Sequence, residues 1–296
     1  MLSSEKNLQT AYDHCLAIAQ NHYENFPVAS RLLNKQLRQP ISAVYAFART
    51  ADDFADEGKL SRAERLNYLE DYSSELKQLE QTLNSGSYYI HNSDKPIFIA
   101  LADVIQKYRI PINLFQDLLS AFKSDVNKTR YANFAEILAY CRNSANPVGR
   151  ILLYLNNSVN EENLNNSDAI CTGLQLINFY QDIAQDLDEN DRVYLPLDEL
   201  AQFTVTVDDI KKRVNNAQTQ ALMTLQLQRA RNLYESGKPL CFNLSGRFAL
   251  ELRMIFAGGS LILDKLEANI STLYLRPRLT AKDKIKILWQ GFFSSR

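Results

Sequence analysis

The chain has 296 residues, 46% of them apolar, with only nine glycines and eight prolines. A chain of this size and composition can bury a large core, and it favours long helices joined by short connections. The net charge of −1 gives no basic surface for nucleic acid. The four cysteines are scattered, which excludes a zinc or disulfide framework and predicts reduced thiols. No apolar run reaches the length of a membrane span and no signal segment is recognisable, so we expect a cytoplasmic protein.

Apolar residues recur with helical spacing along nearly the whole chain, and no alternating strand pattern is found. The spacing predicts helices over 8–21, 40–57, 61–83, 95–107, 111–123, 131–155, 167–188, 207–236, 245–268 and 281–289. Polar, turn-like stretches separate them, for example around 84–96 and 156–168. The fold class predicted from this pattern is all-α.

The helix predicted over 40–57 carries a polar stripe. Its members follow each other at i, i+4, i+7, i+8 and i+11: Tyr45, Arg49, Asp52, Asp53 and Asp56. Apolar residues flank the stripe, and carboxylates near a core are costly unless a cation compensates them. Two interpretations stay open at this point. The stripe is either a metal site or a solvent-exposed acidic face with a local Arg49–Asp53 ion pair.

The helix predicted over 167–188 carries a second stripe of side-chain oxygens, spaced by +3, +4 and +4: Gln175, Asn178, Asp182 and Asp186. Further acidic residues follow at 188, 189 and 191, toward the end of the helix. Negative charge there opposes the helix dipole unless a cation compensates it, which favours a bound metal. The alternative is a polar stripe that faces water.

The two stripes lie about 130 residues apart, and facing each other they would form a cage of oxygen ligands. Mg²⁺ prefers such ligands and bridges carboxylates to substrate phosphates, so the cage predicts a diphosphate site. Arg49 would contact phosphate oxygens directly. Because the two stripes must meet, we expect a single domain over 1–296. The many tyrosine and phenylalanine side chains would also suit a carbocation formed when diphosphate leaves.

Three blocks of the sequence resemble the squalene/phytoene synthase family over roughly residues 8–280. They are the segment 22–57, with HYENFPVAS at 22–30 and YAFARTADD at 45–53, then CRNSANPVGR at 141–150, and the segment 175–196. The resemblance implies an isoprenoid-synthase helical bundle with a central cavity. Within the family, the blocks are most similar to the bacterial branch that acts on presqualene diphosphate in hopanoid biosynthesis. That branch converts presqualene diphosphate and water into hydroxysqualene and diphosphate.

The resemblance also implies roles for residues of this sequence. Six positions match the family's ligands for several Mg²⁺ ions: Asp52, Asp53, Asp56, Asn178, Asp182 and Asp186. Four match catalytic residues near the diphosphate or along the cavity: Tyr45, Arg49, Tyr140 and Gln175. Six match substrate-binding positions in the N-terminal helix, at a helix break beside the prenyl chain, and in the loop after the second cluster: His22, Asn25, Val148, Gly149, Arg192 and Tyr194.

One departure from the family concerns Gln181, where several relatives that condense two prenyl diphosphates carry a basic residue. Its neutrality suggests a substrate with a single diphosphate. Because water rather than hydride would end the reaction, no NADPH is expected. The alternatives are a sister enzyme that makes presqualene diphosphate, squalene, phytoene or dehydrosqualene, and a non-enzymatic assembly factor. Such factors have degraded metal motifs, whereas both motifs are complete here.

The C-terminal segment is the last feature. Ile285, Trp289, Phe292 and Phe293 share one helix face, with Lys282 and Lys286 nearby. The segment either docks on the core or touches a membrane. The partners expected from the sequence and the resemblance are a prenyl diphosphate lipid substrate, a peripheral membrane surface at the inner face of the membrane, and a presqualene diphosphate synthase of the same pathway. No nucleic acid is expected.

Overall fold

A computed structural model describes residues 2–21, 35–86 and 94–293. Within these ranges the chain contains α-helices, turns, one short 3-10 helix and an isolated bridge between Tyr131 and Pro196, and no strand. The predicted all-α class is therefore confirmed. No helix in the described ranges is long and apolar enough to cross a membrane.

The helices fall into two compact units, and each is described by itself. One comprises Met1–Asn127 with Arg150–Val159, and the other comprises Lys128–Gly149 with Asn160–Arg296. The predicted single domain over 1–296 and its central cavity stay predictions.

The helices of the first unit are α1 (Leu2–Asn21), α2 (Lys35–Asp56), α3 (Arg62–Asn84), α4 (Pro96–Tyr108) and α5 (Asn113–Asp125). Those that follow are α6 (Phe134–Ser144), α7 (Asn146–Leu155), α8 (Glu161–Gln181), α9 (Ile183–Asn190), α10 (Leu197–Gln202), α11 (Val207–Lys211), α12 (Ala217–Ser236), α13 (Leu240–Asn243), α14 (Gly246–Ala268) and α15 (Ala281–Phe293). Helix α7 contributes residues to both units, and the 3-10 helix Ile270–Thr272 follows α14.

Helix α2 lies at the centre of the first unit, against α1, α3, α4 and α5. Its buried face consists mainly of alanines around Phe47, whose ring meets Phe98 and Phe115 edge-on at 5.9 and 5.5 Å. Small side chains allow the neighbouring helices to approach, and the one large ring fills the space between them. The polar stripe of α2 is left at the edge of this core.

Helix α8 has the same central position in the second unit, against α6, α12 and α14. Gly173 of α8 permits the close contact with α12, because a Cβ atom there would lie 2.7 Å from Cβ of Tyr234. The Tyr234 ring in turn stacks on Phe256 of α14, with centroids 4.4 Å apart. This packing fixes the C-terminal half of α8, which carries the second stripe.

The predicted helix 167–188 is interrupted in the structure. Helix α8 begins earlier, at Glu161, and ends at Gln181, while α9 begins at Ile183. Asp182 between them has φ −107° and ψ 13°. Hydrophobic spacing continues across such a kink, so periodicity does not reveal it.

Two other predicted helices are also split. The span 131–155 breaks at Ala145, just before Pro147, and the span 207–236 breaks between α11 and α12. Asn216 begins α12 there as its N-cap and accepts the backbone N–H of Thr219.

Candidate functional site

Arg49 is the centre of the first stripe on α2. Its Nη2 lies 2.6 Å from Asp53 Oδ1 and its Nη1 lies 3.6 Å from Asp52 Oδ2, and it also pairs with Glu57. The local ion pair that the sequence allowed is therefore present. Tyr45 is half-buried one turn before Arg49, and Asp56 is exposed one turn after Asp52. The stripe has the predicted arrangement, with Arg49 as the cation among its carboxylates.

Arg65 of α3 holds the end of α2 in place. Its guanidinium donates to the carbonyl oxygens of Phe54, Glu57 and Gly58, at 3.2, 3.1 and 3.0 Å. The last carbonyls of a helix lack partners within the helix, so these bonds satisfy them. Gly58 follows with φ +75°, a conformation that ends the helix at little cost in glycine. The acidic end of α2 is thereby positioned by a neighbouring helix.

The second stripe crosses the junction between α8 and α9. The N–H of Asp182 still donates to the carbonyl of Asn178 at 2.9 Å, and the N–H of Asp186 donates to that of Asp182 at 2.8 Å. The three predicted metal ligands therefore stay on successive turns despite the kink. Asn178 is exposed, Asp182 is buried, and Gln175 and Asp186 are half-buried.

The two aspartates of this stripe carry unfavourable charge. Burial, and secondarily the charge of Asp182, raises the pKa of Asp186 to about 7. Burial also raises the pKa of Asp182, although Arg276 acts in the opposite direction. Carboxylates whose pKa values are raised in this way are stabilised in the ionised form by a divalent cation. The donor set and its charge thus fit a hard metal ion such as Mg²⁺.

Arg276 was not identified from the sequence, yet it contacts this stripe. Its Nε lies 2.5 Å from Asp182 Oδ1, its Nη2 donates to Oδ2 at 2.9 Å, and its Nη1 donates to Gln185 at 2.9 Å. Gln181 donates from Nε2 to the carbonyl of Pro277 at 2.6 Å. The segment that carries Arg276 is therefore bound on both sides of the α8–α9 junction.

The contact between Arg276 and Asp182 changes the interpretation of the neutral residue Gln181. Position 181 lacks a positive charge, but Arg276 brings one to the adjacent Asp182. The neutral side chain at 181 therefore does not by itself favour a substrate with one diphosphate. The sequence feature that could have indicated this cation is the Arg276-Pro-Arg278 motif, because the segment 270–282 around it contains no acidic residue.

The acidic residues that follow the second stripe have side-chain partners. Asp188 pairs with Arg213 at 2.5 Å, and Asp191 pairs with Arg130 at 2.9 Å and with Lys211 at 3.1 Å. These cations offset the charge that opposes the helix dipole. Asp188 and Asp191 therefore need no metal to offset their charge, and a metal ion at the second stripe stays a prediction.

An aromatic cluster adjoins the second stripe. Phe179 stacks on Tyr194 with centroids 3.7 Å apart, Tyr140 lies 6.0 and 5.8 Å from these two rings, and Tyr131 lies 5.5 Å from Tyr194. Tyr194, Phe179, the buried Arg192 and Asp186 line a common cavity of about 10 Å³. Three separately predicted residues, Arg192, Tyr194 and Asp186, are thus brought together, with Tyr140 beside them.

Gly149 and Val148 lie in the first turn of α7. A Cβ atom on Gly149 would lie 2.3 Å from Ser167 Oγ and 2.5 Å from Cys171 Sγ, so the missing side chain allows α8 to approach. Val148 is exposed. The predicted helix break is present one turn earlier, at Ala145, where Asn146 accepts a hydrogen bond from Thr172 at 2.9 Å.

In the part of the chain that the structure describes, no three His, Cys, Asp or Glu side chains converge as a ready-made metal site. Arg49 and Arg276 are ion-paired with carboxylates that the sequence assigns to metal. The two stripes belong to separate units, so the cage that both would form stays a prediction. His22 and Asn25 lie outside the described residues.

Comparison with known proteins gives a consistent class. The model of the squalene/phytoene synthase family matches residues 19–283. A hydroxysqualene synthase of Rhodopseudomonas palustris is 35% identical over 83% of this chain and 80% of its own. A hydroxysqualene synthase of Sinorhizobium fredii is 30% identical over 84% and 81%. The crystal structure of squalene synthase HpnC from Alicyclobacillus acidocaldarius superposes with a TM-score of 0.80 at 32% identity, over 89% of this chain and 95% of that one.

The family match and the relatives named hydroxysqualene synthase show an enzyme of a class that acts on prenyl diphosphates. The chain belongs to the squalene/phytoene synthase family.

Proposed function

We propose that this enzyme ionises presqualene diphosphate with the help of Mg²⁺ and captures the resulting cation with water. The C–O bond breaks and its electron pair leaves with diphosphate. The cyclopropylcarbinyl cation rearranges to an allylic cation, water adds to it and loses a proton, and hydroxysqualene is formed. The choice of this reaction is supported by similarity to two relatives named hydroxysqualene synthase over about four fifths of the chain.

The observation that carries the ionisation step is the Asp182–Asp186 pair, in which burial raises the pKa of Asp186 to about 7 beside an aromatic cluster. Mg²⁺ ions bound to the aspartates of the two stripes would neutralise the charge that develops on the leaving diphosphate. Arg49 and Arg276 already form ion pairs with carboxylates of these stripes. Both guanidinium groups would be able to contact phosphate oxygens of a diphosphate bound at these carboxylates.

The fate of the cation depends on what surrounds it. The rings of Tyr140, Phe179 and Tyr194 present π-faces, which stabilise positive charge electrostatically without acting as strong nucleophiles. Because water ends the proposed reaction, no electrons are needed and NADPH is not a reactant.

The test is product analysis with the purified enzyme, presqualene diphosphate and Mg²⁺ in the absence of NADPH. We expect hydroxysqualene and diphosphate in equal amounts, and no turnover when a chelator removes the metal. Squalene that appears only when NADPH is added would overturn the water-capture step.

A second candidate is a head-to-head synthase that condenses two prenyl diphosphates. It is favoured by the name of the Alicyclobacillus structure, a squalene synthase at 32% identity. Substantial product from farnesyl diphosphate alone would support it over the first candidate.

A further inference from the structure

Helix α15 packs against α14 through one of its faces. Gly291 lies so close to α14 that a Cβ atom would be 2.6 Å from Met254 Cγ, and its carbonyl accepts a hydrogen bond from Arg253 at 2.8 Å. Asp283 pairs with Lys265 of α14 at 3.0 Å. The docking that the sequence allowed is therefore present on this side of the helix.

The opposite face carries an exposed apolar stripe. Ile285, Leu288, Trp289 and Phe292 follow at i, i+3, i+4 and i+7, and they are 68, 48, 63 and 62% exposed. Other large apolar side chains that are exposed in the described ranges are scattered along the chain, for example Leu197 at 38%. The side chain of Phe293, which the sequence places near this face, lies outside the described ones. Contiguous exposure of this kind marks an interaction surface.

Lysines border the stripe on both sides. At about 100° per residue, Lys282 and Lys286 fall to one side of the stripe and Lys284 to the other. All three are exposed. The segment 275–296 contains six basic residues and a single acidic one, Asp283, which is already ion-paired with Lys265. The surface around the apolar stripe is therefore positively charged.

We propose that α15 docks the protein on an anionic lipid bilayer, with the helix in the plane of the interface. The apolar stripe would enter the boundary between headgroups and acyl chains, and the flanking lysines would reach lipid phosphates beside it. A second copy of this chain fits the face less well. A two-fold contact through the stripe would bring the lysine borders of both copies together. This inference does not depend on the proposed reaction.

Trp289 is the only tryptophan of the chain, so its fluorescence reports on this face directly. The full-length protein is mixed with vesicles of phosphatidylcholine, with or without phosphatidylglycerol. We expect a blue shift of the emission and protection from iodide quenching with the anionic vesicles only. Raising the salt concentration should weaken the effect, because it screens the lysine charges. Unchanged emission together with no co-sedimentation would overturn the proposal.

Two variants separate the apolar and the charged contributions. The double variant Ile285→Ser with Leu288→Ser retains Trp289 and should bind anionic vesicles at least about tenfold more weakly. The triple variant that changes Lys282, Lys284 and Lys286 to glutamine should bind about 100-fold more weakly, which is about fivefold per lysine.

Matched controls are Leu197→Ser, which removes an exposed leucine elsewhere, and a triple lysine-to-glutamine variant of Lys77, Lys212 and Lys238, which are also exposed. Both should bind like the unmodified protein, and circular dichroism verifies that every variant is folded. Equal losses in the variants and their controls would contradict the assignment to α15. The proposal would also be contradicted if the protein does not bind vesicles and instead forms a dimer that the double serine variant abolishes.

Discussion

Arg276 and Asp182 form a two-point ion pair between side chains that are 94 residues apart in the sequence. Nε lies 2.5 Å from Oδ1, and Nη2 donates to Oδ2 at 2.9 Å. Asp182 is one of the residues assigned to Mg²⁺, so a guanidinium contacts the carboxylate that a metal would use. The pair connects the C-terminal segment to the kink between α8 and α9, and the strength of this connection should depend on metal.

Removing the guanidinium should destabilise the metal-free protein. We expect Arg276→Gln to lower the free energy of unfolding by about 1–3 kcal/mol at pH 8, because buried Asp182 loses its partner. In the background of Asp182→Asn the same substitution should cost little, since the charge is already gone. Urea unfolding of the two single variants and the double variant measures this coupling. Additive effects would show that the pair does not contribute to stability.

Asp186 should make stability depend on pH. Its pKa of about 7 in the folded protein is above the ordinary value of 3.8, so the folded state binds this proton more tightly than the unfolded state. Stability from this group is therefore present at low pH and is lost as the pH rises through about 7. Raising a pKa from 3.8 to about 7 corresponds to roughly 4 kcal/mol, which solvent screening reduces. Without metal, Asp186→Asn should therefore be more stable than the unmodified protein by about 2–4 kcal/mol at pH 8. The difference should shrink toward pH 4.

Adding Mg²⁺ provides the control for this effect. A cation that binds the ionised carboxylate should raise the melting temperature of the unmodified protein at pH 8, and raise it less in Asp186→Asn. A metal response of equal size in both proteins would show that Asp186 is not a ligand.

Neutralising an aspartate in either stripe should abolish catalysis. We expect Asp52→Asn and Asp182→Asn each to lower turnover at least about 100-fold, because oxygen ligands of the metal would be lost. Asp71→Asn, at an exposed position of α3, is the matched control and should leave turnover unchanged. An assembly factor would tolerate both substitutions in a binding or complementation assay, so full function of both variants would favour that alternative.

Two glycines should respond in opposite ways to alanine. Gly149→Ala places a Cβ atom 2.3 Å from Ser167 Oγ, so the packing against α8 must shift, and we expect a loss of about 1–3 kcal/mol of stability. In Gly258→Ala, the new Cβ atom would lie 3.7 Å from Ile287 Cδ1, in ordinary van der Waals contact. Alanine favours the helix there by about 1 kcal/mol, so this variant should be neutral or slightly stabilised. Chemical denaturation distinguishes the two.

Local patterns explain why much of the site was predictable. Tyr45, Arg49, Asp52 and Asp53 share one face of α2 because helix geometry repeats every 3.6 residues, and the contact between Arg49 and Asp53 follows from the same spacing. The resemblance to the squalene/phytoene synthase family, based on sequence blocks, is confirmed by the match over residues 19–283.

Other contacts of the site join residues that are distant in the sequence, and no spacing rule predicts them. The partners of Asp188 and Asp191 illustrate this, because Arg213 and Arg130 lie 25 and 61 residues away. Their charges looked uncompensated in the sequence and are neutralised only after packing. Hydrophobic periodicity likewise continues through Asp182, so it could not show that the helix breaks there.

The amino-acid order alone thus established an all-helical protein, the two acidic stripes and the lysine-bordered face of the last helix, since each depends on spacings within a few turns. Tertiary packing decided that Arg276 contacts Asp182, that Tyr140, Phe179 and Tyr194 form one cluster, and that burial raises the pKa of Asp186. The physical reason is that ion pairing, ring stacking and desolvation depend on distances through space, which are set by how the helices pack.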